Sequence, residues 1–332
     1  MKKRVACCLL IMALIVVVFS MFSSTEAAEK LKIPNMQIMT GGAGGTWVAI
    51  GAAIAEKVND NYQGFPMTAV PSPGSVANPM VIGSGEAPFG LSYPIFLVAA
   101  TKGAKPYSKA FPDLRAICAM PPTVLHMFAD VAIPGKTIKE ILDAKTVFKL
   151  GLPTKGSGSY SILDIVFNAC GLEDIEDLNQ WGASVYYASG QGLGNAWNDR
   201  ITDMTASTYN VPAAILVEAL SARQGKILGM GEEIMPKLME YGFSPFTIPS
   251  GTYPNQDEDV ETVSLPMILF TRADVSEDVV YTITKTIYQN AEYMKTVHSS
   301  FKSFDNAAMH KGNGIQLHEG AVKFFKERGI ME

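Results

Sequence analysis

Met36-Gln37-Ile38-Met39-Thr40-Gly41-Gly42-Ala43-Gly44-Gly45-Thr46-Trp47-Val48-Ala49-Ile50-Gly51 is the stretch on which the reading of the fold turns. Its first four residues alternate as a strand does, and Trp47, Ile50, Ile54 and Val58 fall on one helical face. A strand, a glycine loop and a helix in that order form a seat for an anion. Glycine lets backbone approach a ligand closely, the first helical turn carries N–H groups without intrahelical acceptors, and the helix dipole adds partial positive charge there. The competing reading is a tight turn that binds nothing.

The same grammar recurs along the chain. Val70 closes a strand before Pro71-Ser72-Pro73-Gly74-Ser75-Val76-Ala77-Asn78, where Ser75 is placed to cap a short helix. Ala87 to Tyr93 form a third unit, with Pro94 in the first turn of a helix that runs to Gly103. The strand-like Val147 to Leu152 leads through Pro153-Thr154-Lys155-Gly156-Ser157-Gly158-Ser159 into a helix closed by Gly171. Ile201 to Tyr209 supply another strand, with Thr205, Ser207 and Tyr209 as its polar residues. Alternating strands and helices predict α/β layers around mostly parallel sheets. Two glycine loops about 110 residues apart, each at a strand-to-helix junction, predict two lobes facing one another across a cleft beyond the carboxyl ends of the strands. Ser276 to Val297 read as one long helix and Ala321 to Glu327 as another, both covering the first lobe, and Ser250 to Glu261 as a solvated loop.

Met1 to Arg4 carry three positive charges and Val5 to Phe22 carry none, which is the pattern of a secretory signal peptide cut after Ala28; a retained membrane anchor is the alternative. Either way the folded part is expected outside the cytoplasm, in a periplasm or its equivalent. Taking Lys2, Lys3, Arg4 and Glu26 out of the 27 basic and 32 acidic side chains leaves 24 and 31, a formal charge of −7 on a mature body of about 304 residues. Such a balance argues against nucleic acid and acidic membrane surfaces. Cys118 and Cys170 are then either a disulfide pair or two buried thiols.

Catalytic motifs fail at named positions. Trp47 stands where a dinucleotide fingerprint needs its last glycine, and Gly156-Ser157 stand where a phosphate loop needs Gly-Lys-Ser or Gly-Lys-Thr. No Gly-x-Ser-x-Gly elbow occurs, and His126, His298, His310 and His318 show no ligand spacing. The expectation is a protein that is no enzyme and holds no metal or cofactor.

Four stretches carry a family likeness: Thr40 to Thr46, Gly74-Ser75-Val76-Ala77-Asn78, Gly156-Ser157-Gly158-Ser159, and Leu317 to Ile330. In their order and spacing the chain resembles the TAXI family of solute receptors, the extracytoplasmic binding proteins of one branch of the TRAP transporters. The resemblance implies a two-lobe periplasmic-binding-protein fold of the second structural type, an α/β architecture hinged in the interlobe strands. It also implies a monomer that delivers a small organic anion or acidic amino acid, dicarboxylate or glutamate-like, to a TRAP-type membrane permease. Carried over by position, the ligand contacts are Gly44, Gly45, Thr46 and Trp47, then Ser75 and Asn78, with Ser157, Gly158 and Ser159 across the cleft. The strand ends add Ser92, Tyr93, Ser207 and Tyr209. Trp47 departs from the tyrosine often found there, and Arg200-Ile201-Thr202-Asp203-Met204 departs from the usual Lys-Ile-Asp-Ala run. No arginine lies in these loops, so a guanidinium clamp is expected only if Arg115, Arg200 or Arg223 folds inward. The lobes are drawn as 29–125 plus 250–332 and as 126–249, after a signal peptide at 1–28. The competing functions are an exported enzyme on the same scaffold and a ligand sensor for a signalling partner.

Overall fold

The computed structural model describes residues 36–43, 46–61 and 66–332, so the expected signal peptide, Gly44 and Gly45 lie outside the described residues. In the first half, β1 (Met36–Met39) leads to α1 (Thr46–Asn61), β2 (Met67–Val70) to α2 (Asn78–Gly83), and β3 (Phe89–Ser92) to α3 (Pro94–Lys102). The long strand β4 (Leu114–Asp130) then carries the chain across. The second half holds α4 (Ile138–Asp143), β5 (Lys149–Pro153), α5 (Gly158–Ala169), β6 (Ser184–Ala188), α6 (Gly190–Asn198), β7 (Met204–Tyr209), α7 (Ala214–Ala222), β8 (Gly225–Leu228), α8 (Met235–Glu240) and β9 (Ser244–Ile248). Strand β10 (Val260–Arg272) brings it back, and α9 (Glu277–Gln289), α10 (Ala291–Val297) and α11 (Glu319–Glu327) finish it.

Ten strands make one curled sheet in the order β2-β1-β3-β10-β4-β7-β5-β6, with β8 on β4 and β9 on β10. Each end is a parallel wing, β2-β1-β3 in the first half and β6-β5-β7 in the second. The antiparallel pair of β4 and β10 joins them. In its first half β10 pairs with β9 and in its second with β3, so the two long strands belong to both wings. Pro122 and Pro266 face each other midway, with a register shift between Pro266 and Met267. Proline has no N–H to give a ladder, so the sheet is weakest where it passes from one wing to the other. The fold is therefore two lobes, each a part of the sheet flanked by helices, with a cleft between.

The apolar positions of α1 behave as their spacing requires: Ile50, Ile54 and Val58 are at most 1% exposed and pack with Val280, Ile283 and Phe325 of α9 and α11. Gly51 is needed on the same helix, because a Cβ there would press on the Thr40 side chain and the Ala69 Cβ of the strands beneath. Helix α11 lies as close on α9, where Gly320 leaves no room between its Cα and the Glu277 carbonyl oxygen. A separate cluster around Phe128, Trp197 and Leu216 fills the far side of the second lobe.

Two local expectations need correction. Ser276 to Val297 is two helices rather than one: the Asn290 side chain donates to the Thr286 carbonyl at 2.8 Å and its backbone leaves helical geometry, a competition that short polar side chains offer a helix. Ser75 caps nothing, since α2 starts three residues later, behind its N-cap Ala77. Cys118 and Cys170 are free buried thiols, each pushed up to about 12 chiefly by burial, so neither is a reactive thiolate.

Candidate functional site

Between the lobes lies a cleft of about 490 Å³, the size of a small-molecule site. Its walls are strand ends and helix starts from both halves. From the first lobe come Gly41, Gly42, Thr46 and Trp47 of the opening loop, Gly74 and Ser75 after β2, and Tyr93 after β3. From the second come Ser157, Gly158 and Ser159 after β5, Thr208 and Tyr209 at the end of β7, and Asn210 and Pro212 to Ile215 after it. Thr123 on β4 forms part of the floor, and His298 at the end of α10 stands on the rim.

Four helices begin here. Thr46 opens α1, Tyr93 is the N-cap of α3, Ser157 caps α5 by accepting the Tyr160 N–H at 3.2 Å, and Ala213 is the N-cap of α7. Tyr93 and Ala213 give α3 and α7 no side-chain cap; Pro94 has no N–H, and the Phe96 and Leu216 N–H groups donate to the Tyr93 and Ala213 carbonyls, so the Ile95, Ala214 and Ile215 amides are the ones left for another acceptor. No aspartate, glutamate, lysine or arginine is among the described residues lining the cleft. The field inside comes from backbone amides and dipoles rather than from ionised side chains.

The lobes touch across this space. A Cβ added at Gly158 would collide with the Ser75 hydroxyl, which explains why glycine is needed at the start of α5. Ser159 Oγ lies 2.7 Å from Thr208 Oγ1. Trp47 meets Tyr93 edge to face at 5.0 Å between ring centres, building an apolar wall beside the polar one. Burial raises the Tyr93 phenol above its ordinary range, and the hydroxyls of Thr123 and Thr208 beside it offset part of that rise. Although the phenol is near, Thr123 Oγ1 is buried and completes no hydrogen bond of ordinary geometry.

Of the residues expected at the site, Thr46, Trp47, Ser75, Tyr93, Ser157, Gly158, Ser159 and Tyr209 line the cleft. Three others sit beneath it. Asn78 is wholly buried and its amide donates to the carbonyls of Met39, Thr40 and Leu91, while Ser72 donates to its oxygen; it ties the first three strand ends together. Ser92 donates to the Ser75 carbonyl at 2.6 Å and so holds that loop. Ser207 is buried opposite His126 in the β4–β7 ladder, its hydroxyl beside the Tyr209 phenol. Gly44 and Gly45 lie outside the described residues.

Thr123, Thr208, Asn210, Ala213 and His298 are lining residues that sequence reasoning did not select. Thr208 and Asn210 flank chosen residues and were within reach of the strand-end rule. Thr123 and His298 carried no signal, because their places depend on the return of β10 and α10. Arg223 does not enter the cleft: it is paired with Asp130 at 2.7 Å and donates to the Trp197 and Thr202 carbonyls. Arg115 is tied to the Pro112 and Leu114 carbonyls.

Behind the second wall His126 is fully buried. Its Nδ1 is 2.9 Å from the Val124 carbonyl and its Nε2 is 2.8 Å from the Tyr253 hydroxyl, which also accepts the Ala213 N–H at 3.0 Å. The carbonyl requires an Nδ1–H, so Nε2 accepts from the phenol. Burial holds this ring down to about 4, neutral at ordinary pH. The chain of bonds fixes the start of α7 against the crossing strand. His318, 3% exposed, accepts the Gly320 N–H as the N-cap of α11, a packing role.

A larger concavity of about 660 Å³ lies on the second lobe, lined by acidic side chains of the loop before β10 together with Lys136 and Lys226. Lys136 pairs with Glu258 at 2.8 Å, and the Lys226 ammonium donates to the Ile133 carbonyl. Among the described residues no group of three or more His, Cys, Asp or Glu is arranged to hold a metal, and no helix is long and apolar enough to cross a membrane.

Solved structures share this architecture. One described as a periplasmic transporter is 12% identical, with 88% of this chain and 92% of that chain covered and a TM-score of 0.50. The periplasmic binding protein BugD is 14% identical over 90% of this chain and 98% of its own, at a TM-score of 0.48. The periplasmic aliphatic sulphonate binding protein SsuA from Escherichia coli is 15% identical over 89% and 83%, at 0.47. Residues 38–329 match the profile of the NMT1-like family from the first strand to the last turn, and the chain belongs to that family.

Proposed function

We propose that this protein is an extracytoplasmic solute receptor that captures a small organic anion or amino acid in the cleft and hands it to a TRAP-type secondary transporter. One observation carries the reading: four helix N-termini from both lobes converge on a cleft with no ionised side chain among its described lining residues. Each dipole contributes roughly 0.3 to 1 kcal/mol to an exposed anion and up to about 2 to a partly buried one. Hydrogen bonds from the first-turn amides and hydroxyls add to that, and a micromolar receptor needs about 8 kcal/mol in all.

On this reading Gly44, Gly45, Thr46, Trp47, Ser75, Tyr93, Ser157, Gly158, Ser159 and Tyr209 touch the ligand, while Asn78, Ser92 and Ser207 position the loops that do. The lobes are 29–125 plus 250–332 and 126–249, and the pairing of Val260 to Ser264 with β9 argues for a return crossing nearer Pro266. Ligand binds the closed form better than the open one, and the hinge at Pro122 and Pro266 converts that difference into a shape a permease reads. Export by residues 1–28 rests on their basic start and uncharged apolar run, and the TAXI branch on the sequence likeness.

Thermal unfolding against dicarboxylates, 2-oxo acids, amino acids and neutral solutes tests the reading. A cognate anion at 100 times its Kd adds about 2.7 kcal/mol of stability, is recovered unchanged after incubation, and is taken up by vesicles only when a TRAP permease is present. Chemical conversion of the bound solute would favour an exported enzyme instead.

A further inference from the structure

One side chain on the cleft is a base that a single proton turns into a cation. His298 closes α10 and is the N-cap of the 3-10 turn Ser299–Ser303. Its Nδ1 accepts the Ser300 N–H at 3.2 Å and lies 2.9 Å from Ser300 Oγ, while Nε2 makes no hydrogen bond. An Nδ1 that accepts a backbone N–H carries no proton, so the neutral ring has its N–H at Nε2. The ring is thus a fixed donor on the rim of a space whose other described lining side chains are neutral.

Its surroundings are electrically quiet. Tyr93 and Tyr209 are the other titratable groups among the described residues lining the cleft. On its own turn stands exposed Lys302, on α10 the paired Lys295 and Glu292, and where α10 packs on α1 the cluster of Glu56, Lys57 and Tyr293. Burial is the only cause that moves His298 from its ordinary value, downward. A second, independent observation points to a ligand: Thr123, 6% exposed and on the cleft floor, has a hydroxyl with no completed hydrogen bond.

Resting on the receptor reading above, we propose that His298 supplies the positive charge of the cleft, so that a small carboxylate lacking an ammonium group binds together with one proton taken up on this ring. The proton comes from solvent and enters at Nδ1. That nitrogen then stops accepting the Ser300 N–H and donates to Ser300 Oγ, while Nε2–H turns to the carboxylate. Ligand charge −1 and imidazolium charge +1 cancel inside the site, and no covalent bond is made or broken. An ammonium group is disfavoured because no carboxylate is among the described lining residues to pair it, and a desolvated cation without a partner is costly. Thr123 offers its hydroxyl to the same ligand.

The test follows the His298 ring by NMR, assigned by loss of its signal in His298→Gln, with acetate, pyruvate, succinate, glutamate and a neutral sugar as probes. Calorimetry in two buffers of different ionisation enthalpy counts protons. At least one simple carboxylate is expected to raise the His298 titration midpoint by a unit or more and to take up close to one proton. Its Kd should rise about tenfold per pH unit between the free and bound midpoints, and His298→Gln should flatten that slope in a protein that still unfolds cooperatively, with a thermal midpoint lowered by no more than a few degrees, the effect of losing one cap. Thr123→Val should weaken the same probe without altering the proton count. The proposal is overturned if no probe shifts the ring, if binding takes up no proton, or if glutamate binds better than acetate, pyruvate and succinate alike. Tight binding of the sugar with a silent His298 would sink this inference and leave the receptor standing, whereas a cleft that binds no probe of any class fails both.

Discussion

The outer concavity and the interlobe cleft differ in a way that volume hides. The first is larger, about 660 Å³ against 490 Å³, and holds most of the charge. Its charged groups already satisfy one another or face water, as Lys136 and Glu258 do at more than three-quarters exposed each; exposed pairs of that kind contribute about 0 to 1 kcal/mol. The cleft has no ionised lining side chain among the described residues, yet four helix starts and an unsatisfied Thr123 hydroxyl are aimed at it. Unmet hydrogen-bonding capacity, rather than space, marks the place where a solute gains most. One loop serves both regions: Tyr253 turns inward to hold the start of α7, and Asp257 to Asp259 turn outward to the concavity.

The comparison breaks most visibly at that loop. Tyr253→Phe strands the Ala213 N–H and the His126 ring nitrogen together, at about 1 to 3 kcal/mol for each buried group left unpaired. Denaturant unfolding should show a loss of several kcal/mol, whereas an equivalent loss of charge at Asp257 should be within about 0.5 kcal/mol. Acid acts on the same relay. His126 titrates at about 4 when folded and near 6.5 when unfolded, so between those values the unfolded chain holds more protons. Stability is full above pH 6.5 and falls by about 3 kcal/mol as pH drops towards 4. A variant His126→Gln that still unfolds cooperatively should lose most of that slope.

Gly158→Ala sharpens the contrast between lobes in contact and lobes apart. The added methyl meets Ser75 in the described conformation; on the hinge reading above that is the closed form, so ligand affinity should fall by roughly tenfold or more, about 1 to 3 kcal/mol of overpacking. The apo unfolding midpoint should stay within a degree or two of the parent, since an open form relieves the clash. Thr46→Ala and Ser159→Ala should each cost about 1 kcal/mol of binding, close to fivefold in Kd. Last, Lys136→Ala with Glu258→Ala should leave binding and stability unchanged within about 0.5 kcal/mol. A change larger than the Thr46 effect would mean that the outer concavity takes part in recognition.

Much of the molecule was legible before folding because it is written locally. The strand at Met36 to Met39, the helix face of Ile50, Ile54 and Val58, Pro94 in the first turn of α3 and Gly103 at its left-handed C-cap depend on neighbours within one or two turns. Of the positions carried over from the family likeness, Thr46, Trp47, Ser75 and Ser157 to Ser159 line the cleft, as do Tyr93 and Tyr209 among those added from strand ends. Neither reading separated residues that line from residues that hold. Asn78 and Ser92 are as polar as Ser75, but their side chains are consumed by carbonyls of other loops. Read alone, Ser276 to Val297 is one amphipathic run; the break at Asn290 follows from a side-chain hydrogen bond that hydrophobic spacing does not encode.

Local pattern by itself determined an α/β chain with repeated strand–loop–helix units and bare amide groups at several helix starts, since backbone sterics and side-chain periodicity act over a few residues. Tertiary structure alone decided which starts share one cleft, that the sheet is continuous through β4 and β10 with Pro122 opposite Pro266, and that Thr123 and His298 reach the space between the lobes. Those facts join residues as much as 257 positions apart, as Gly41 and His298 are. They are set by the packing of whole lobes around two crossing strands, where chain entropy is spent on long-range contacts rather than on local ones.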